Sequence, residues 1–298
     1  MLPIIDTHQH LWDLTRFSLP WLEPREMDRL RKNHLMSDYL AAAEGAHITQ
    51  TIYMEVDVDP DQRVAEAKYT LQLCQRDDNP MAGTVIAGNP GQPGFRGYIG
   101  GFKDEYQIKG VRSVLHVPEA EPGRCLQSGF IEDVRYLGDI GKSFDLCLRP
   151  GELADAVRLV DQCPKTRFIV DHCGNADPQI VNDQAEHDPT NPFSHTKAQW
   201  QDAIAALGQR EYVACKISGI IARAGDSWNA DTLAPTVNHC LDSFGPDRVV
   251  FGGDWPVCNL GVSLGQWIAA LRQIVSTRPH QEQAKLFAGN ARRLYGLP

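Results

Sequence analysis

Eight short apolar runs recur along the chain, at residues 2–6, 49–56, 81–88, 108–115, 144–149, 167–172, 212–218 and 248–253. Each is rich in Val, Ile, Phe or Tyr, the pattern of strands buried on both faces of a parallel sheet. Between them lie stretches with helical spacing of apolar positions. The first, 37–45, opens at a capping-type Ser37 and stops at Gly45. Others follow at 61–76, 151–163, 196–208 and 231–245, and 279–297 reads as closing helices. Strands alternating with helices in this number predict a (β/α)8 barrel, one domain over residues 1–298, with no glycine-rich linker to divide it. Two long polar segments, 9–36 and 173–195, each follow a strand. They are therefore expected at the carboxyl-end face of the barrel, where active sites of this architecture are built.

Composition narrows the function classes. A chain of 298 residues, 42% hydrophobic, can bury a large core, and a formal charge of −9 argues against nucleic acid or an anionic membrane as partner. The 8 cysteines are scattered without a CxxC pair, several of them inside apolar runs, which predicts free thiols in a reducing compartment. The N-terminus lacks the basic start and apolar core of a signal peptide, and no run approaches the roughly 18 apolar residues of a membrane span. A cytoplasmic enzyme acting on a small molecule is the expectation; oligomeric state is not readable.

The candidate chemistry starts at "IIDTHQH". On a regular strand Asp6, His8 and His10 share one face, and two imidazoles there suit a single divalent ion, zinc first. Two further strand ends add weight. His172 closes "FIVDH", on the face of Phe168 and Val170 if alternation holds, and Asp254 follows the last strand in "FGGDWP". Each has an ordinary alternative, a buried structural histidine or a turn carboxylate. In a closed barrel, however, the first and last strands are neighbours, which brings Asp254 beside His8 and His10 with His172 across the mouth. Glu55 ends strand two as a further ligand or proton handler, or as a solvated loop acid. Arg112 and Lys216 sit inside buried strands, where a charge needs either an ion-pair partner or an anionic ligand. Trp12, Trp21 and Trp255 lie on segments facing the same mouth, as ring-stacking surfaces or as packing anchors.

Together, "DTHQHLWD", "IVDHCG", "CKISG", "FGGDWPVC" and "NARRLYGL" resemble the amidohydrolase-related branch of the amidohydrolase superfamily. Within that branch the chain is most similar to the lactonase group, which holds L-fuconolactonase, other sugar-acid lactonases and the 2-pyrone-4,6-dicarboxylate lactonases. The resemblance spans the whole chain. It implies a barrel mouth in which His8, His10, His172 and Asp254 are the metal-ligand and catalytic set, and it implies hydrolysis of a ring ester, with a cofactor that some relatives dispense with. Arg112, His116, Trp21, Lys216 and Trp255 are the candidate substrate contacts. Two departures stand out. Gly253 replaces the serine of a Gly-Ser-Asp-Trp-Pro pattern, and His116 stands where sugar lactonases tend to carry glutamine.

Asp254 suits the role of base, taking a proton from water and returning it to the leaving ring oxygen. Two other readings compete with sugar-acid lactone hydrolysis. One is metal-dependent non-oxidative decarboxylation or pyrone hydrolysis, for which Arg112, Arg149 and Lys216 supply cations. The other is a barrel that binds a sugar acid or a metal without turning anything over.

Overall fold

The computed structural model describes residues 1–191 and 193–298. Eight parallel strands pair in sequence order: β1 Ile4–Gln9, β2 Ile48–Met54, β3 Met81–Ala87, β4 Ile108–Leu115, β5 Ser143–Leu148, β6 Phe168–Val170, β7 Val213–Ile217 and β8 Val249–Phe251. They form a nearly closed barrel. Its last seam, between β8 and β1, is held by the Asp254 and His10 amides, which donate to the His8 and Trp255 carbonyls at 2.7 and 2.8 Å, and by a bridge between Gln9 and Trp255.

Each strand is followed by a helix: α1 Met36–Ala42, α2 Arg63–Cys74, α3 Phe95–Gly100, α4 Ser128–Asp139, α5 Leu153–Gln162, α6 Lys197–Gly208, α7 Ala230–Phe244 and α8 Leu264–Ile274. Alternation within the strands builds two cores. Outward residues such as Phe144, Phe168, Val170 and Phe251 pack under the helices. Inward residues Ile5, Ile52, Met54, Val85, Ile169, Ala214 and Val250 fill the barrel and meet Ala288, Ala291, Leu294 and Tyr295 of the closing segment. Asn290 pins that segment beneath β8 by donating to the Pro246 and Val249 carbonyls, both at 2.8 Å. The closing segment fills the amino end of the barrel, and the mouth at the carboxyl ends of the strands holds the cavity described below.

One local expectation changes. Ser37 is not a cap: α1 starts at Met36, and Asp38 accepts from the Leu35 amide at 2.8 Å to hold that end. The closing helices expected over 279–297 are His280–Ala284 and Asn290–Tyr295, joined by a π-helical turn at Lys285–Gly289. The eight cysteines are all free thiols. No helix among the described residues is long and apolar enough to cross a membrane.

Candidate active site

The end of β1 is irregular, and the irregularity builds the site. Asp6 pairs with Thr51 but Gln9 pairs with Tyr53, so β1 carries an extra residue between them. A regular strand would put Asp6, His8 and His10 on one face; the bulge separates them. Asp6 turns away from the mouth. It accepts from the Tyr39 hydroxyl at 2.8 Å, the Gly253 amide at 2.7 Å and the His8 amide at 3.0 Å, and burial pushes its carboxyl up to about 6. It is a buried clamp between β1, α1 and the end of β8. Gly253 leaves room there: a Cβ at this position would crowd Asp6 Oδ2 and the end of the Leu264 side chain, and one of them would have to shift.

His172 also escapes simple alternation. Strand β6 ends at Val170, and residues His172, Cys173, Gly174 and Asn175 all take positive φ, between 51° and 70°. A run of left-handed residues is strained, at roughly 1–3 kcal/mol for each non-glycine. It persists because the Cys173 carbonyl accepts from Trp200 Nε1 and Asn175 Nδ2 donates to the Leu148 carbonyl, both at 2.8 Å. The turn carries the His172 ring away from the outward face of Phe168 and Val170 and into the mouth. There its Nδ1 lies 3.0 Å from the Ser218 hydroxyl. Gly219 (φ +71°) leaves room for it; a Cβ there would fall 2.3 Å from His172 Nδ1.

Three imidazoles thereby present Nε2 to one oxygen. Asp254 Oδ1 lies 3.4 Å from His10, 3.8 Å from His8 and 4.0 Å from His172. The opposite nitrogens determine the tautomers. His10 Nδ1 faces the Met54 carbonyl at 2.9 Å and His8 Nδ1 faces an Asp171 oxygen at 3.4 Å, both pure acceptors. Each Nδ1 therefore carries the proton, and each Nε2 of the neutral ring offers a lone pair. Ser218 can donate or accept, so His172 alone is free to carry its proton on Nε2. Burial raises the Asp254 carboxyl; an N–H or a positive charge on the facing imidazoles, His172 first, outweighs this and brings it to about 2.

A charged layer lies beneath. Lys216, wholly buried, sits 2.5 Å from Asp145 Oδ2 and 2.9 Å from Asp171 Oδ1. Burial opposes its charge and the two carboxylates more than restore it, so its pKa is raised. Arg112 Nε contacts Glu55 Oε1 at 2.5 Å and its Nη2 donates to the Glu55 carbonyl at 2.7 Å. Its Nη1 stands 3.7 Å from Asp171 Oδ2 and 3.4 Å from His8 Nε2.

Above this layer is a cavity of about 370 Å3, within the ordinary range for small-molecule sites. Of the sequence candidates, His10, His172, Asp254, Arg112, His116 and Trp21 line it, and His8 stands against Asp254 just behind the wall. Lys216 and Trp255 do not reach it. Lys216 is consumed by its two carboxylates, and Trp255 packs between His34 and Tyr39. Trp12 is likewise an anchor, its Nε1 donating to the Lys32 carbonyl. Glu55 is committed to Arg112 and to the Asp57 amide. Sequence reasoning missed Asp145, Asp171, Ser218 and Arg223. Asp145 carried the same signal as Lys216, a charge inside an apolar strand, whereas Arg223 lies on a loop and carried none.

The donor set fits a divalent ion. The Nε2 lone pairs of His10 and His8 oppose an ionised carboxylate oxygen, and only His8 Nε2 faces a donor, Arg112 Nη1 at 3.4 Å, so a positive centre between His10 and Asp254 relieves the repulsion. The 3.4 Å separation of His10 and Asp254 matches the roughly 3.4 Å edge of a tetrahedron with 2.0–2.1 Å metal bonds. Arg112 beside His8 opposes a dication, but its charge is already answered by Glu55 and Asp171.

A parallel barrel with clustered histidines and an aspartate at its carboxyl-end mouth defines a class of hydrolytic enzymes. The Amidohydrolase family profile matches residues 5–297, and the chain belongs to that family and is a hydrolase. It is 24% identical to an L-fucono-1,5-lactonase of Burkholderia multivorans, over 99% of this chain and 96% of that protein. Its fold is similar to that of a zinc-bound amidohydrolase of Burkholderia multivorans (TM-score 0.84, 22% identity, 99% and 100% of the two chains). It is also similar to that of 5-carboxyvanillate decarboxylase from Sphingomonas paucimobilis (TM-score 0.64, 14% identity, full coverage of both).

Proposed function

We propose that the chain opens the ring ester of a sugar-acid lactone in carbohydrate catabolism, with His8, His10 and Asp254 holding a divalent ion, zinc first, and His172 completing the set. The observation that carries this reading is the convergence of three imidazole Nε2 atoms on Asp254 Oδ1 at the wall of a small cavity. Likeness to L-fucono-1,5-lactonase over nearly the full length supports the choice of ester.

Asp254, its carboxyl held low with His172 the leading cause, accepts a proton from the attacking water as the water oxygen bonds to the lactone carbonyl carbon. His172, with a proton available on Nε2, donates to the oxygen that becomes negative, a contribution of about 3–4 kcal/mol in a site closed to water. Collapse breaks the bond to the ring oxygen. Asp254 returns its proton to that oxygen, and the product is a hydroxy acid that ionises and releases one proton. A bound divalent ion supplies Lewis acidity, polarising an oxygen ligand or lowering the pKa of water. Asp171 and Met54 keep His8 and His10 in the tautomer described above, and Ser218 orients His172.

The test is proton release, followed with a pH indicator, from a panel of sugar-acid γ- and δ-lactones with wild type and Asp254→Asn. The expected result is turnover of one or a few related lactones by wild type, falling roughly 10^2- to 10^4-fold in the variant. Metal-supplemented wild type with no release above background would overturn the reading. Non-oxidative decarboxylation then takes its place, and carbon dioxide from aromatic acids is its signature; the cavity arginines Arg112 and Arg223 favour it as the second reading.

A further inference from the structure

The cavity wall contains two arginines in very different situations. Arg112 has its charge answered: it bonds the Glu55 side chain and carbonyl, and Asp171 stands 3.7 Å from its Nη1. Arg223, on the loop after β7, has no carboxylate within 4.0 Å among the described residues, although it lies against the same largely apolar wall of Val114, Val117 and Ala222. A guanidinium in such surroundings is costly unless an anion answers it.

Arg223 is nevertheless held in place. Its Nη1 and Nη2 donate to the carbonyl and side-chain oxygens of Asn175 at 3.2 and 3.4 Å. Its own carbonyl accepts from Gln179 Nε2 at 3.1 Å, and the guanidinium packs on the Phe193 ring at 5.7 Å. Asn175 belongs to the same strained turn that aims His172, so the cation and the reaction centre share one support. These contacts engage one hydrogen on each terminal nitrogen at most. Of five N–H donors, the rest are available in the planar fork that matches a carboxylate. Among the described residues no other acceptor uses them. His116 packs on the same Phe193 ring, and burial together with the nearby arginines keeps its imidazole neutral, so it adds a polar contact without a competing charge. The cavity's uncommitted carboxylate, Asp57, follows β2, three strands round the barrel from β7.

We propose that Arg223 docks a free carboxylate on the substrate, remote from the ring ester, so that the preferred substrates are lactones of dicarboxylic sugar acids rather than neutral aldonolactones. This rests on the lactonase reading above and adds the charge of the substrate to it.

Matched pairs of 1,4-lactones separate the two claims: glucono- with glucaro-, galactono- with galactaro-, and mannono- with mannarolactone, each pair differing only at C6. The readout is the ratio of kcat/KM for the acid-bearing lactone to that for its neutral partner. Wild type is expected to show a ratio of roughly 10- to 150-fold on the configuration it accepts, the worth of a charged hydrogen bond. Arg223→Gln should bring it to within about threefold of unity, and Arg223→Lys, which keeps the charge without the fork, should fall between. A wild-type ratio of one or less on every opened pair, or an unchanged ratio in Arg223→Gln, overturns the proposal and leaves the lactonase reading standing. If no lactone opens, that reading has failed, and calorimetric binding of glucarate and galactarate against gluconate and galactonate decides the rest. Tighter aldarate binding that Arg223→Gln abolishes retains the carboxylate dock; equal binding overturns it.

Discussion

His10 Nε2 faces Asp254 Oδ1 across 3.4 Å while the proton of His10 sits on the other ring nitrogen, donated to the Met54 carbonyl. Two acceptors this close require a cation between them or protonation of one partner. Zinc is therefore expected to stabilise chelator-treated protein, by roughly 2.7 kcal/mol at a hundredfold excess over its dissociation constant, or about 5 °C in Tm. The bound metal should reach one equivalent, and the shift should vanish in His10→Ala and in Asp254→Asn. Calorimetric melting with elemental analysis checks this, and an equal shift in both variants would place the ion elsewhere.

The lysine beneath the site makes a separate prediction. Lys216 stands between Asp145 and Asp171, all three wholly buried, so Lys216→Met leaves two carboxylates without their cation. Breaking a buried pair of this kind costs about 3–5 kcal/mol. Urea unfolding should show that loss, and Asp145→Asn in the same chain should recover part of it. If Lys216 instead contacted substrate, the single variant would raise KM and leave stability unchanged.

Most of the barrel is legible in the sequence because its strands are short, β-branched and separated by helical spacing; the observed strands β1–β8 overlap all eight apolar runs. Helices α3, α4 and α8 are not picked out by that reading. In α4 the glycines Gly129 and Gly138 dilute the pattern and no side chain caps its start, whereas α8 carries a capping box, Ser263 with Gln266, that was there to be seen. The positions of His8, His10 and Asp254 at strand ends were legible too. Their orientations were not, because alternation fails where β1 bulges and where four successive residues after Asp171 turn left-handed. Those features depend on partners distant in sequence, Tyr39, Trp200 and Leu148, which no local pattern announces.

Gly219 tests whether the aim of His172 matters. The glycine adopts φ +71°, and a Cβ there would collide with the imidazole at 2.3 Å, so Gly219→Ala must displace the ring from Ser218 and Asp254. Activity is expected to fall roughly 100-fold, as a misplacement of about 1 Å in a catalytic group does. The added strain should remove only about 1–3 kcal/mol of stability. Kinetics with denaturant unfolding on the same sample separates the two, and retention of full activity would show that the His172 orientation is dispensable.

Glu66 supplies a pH dependence that lies outside the site. It accepts from the Tyr53 hydroxyl at 2.9 Å and the Val56 amide at 2.8 Å, yet it is wholly buried, and that burial, with Glu55 nearby, pushes its carboxyl from 4.5 up to about 8. The folded chain thus keeps a proton that the unfolded chain releases once the pH exceeds 4.5. Wherever the folded state binds more protons, stability falls as pH rises, so Glu66 erodes stability between pH 4.5 and about 8. Glu66→Gln removes this dependence while keeping a carbonyl acceptor for Tyr53 and Val56. Thermal melts across pH 5–9 should show the variant losing less stability than wild type as pH rises, with the curves parallel above about 8. Curves parallel throughout would mean that Glu66 is ionised in the folded protein, its charge borne by those two donors and by Arg112 behind Glu55.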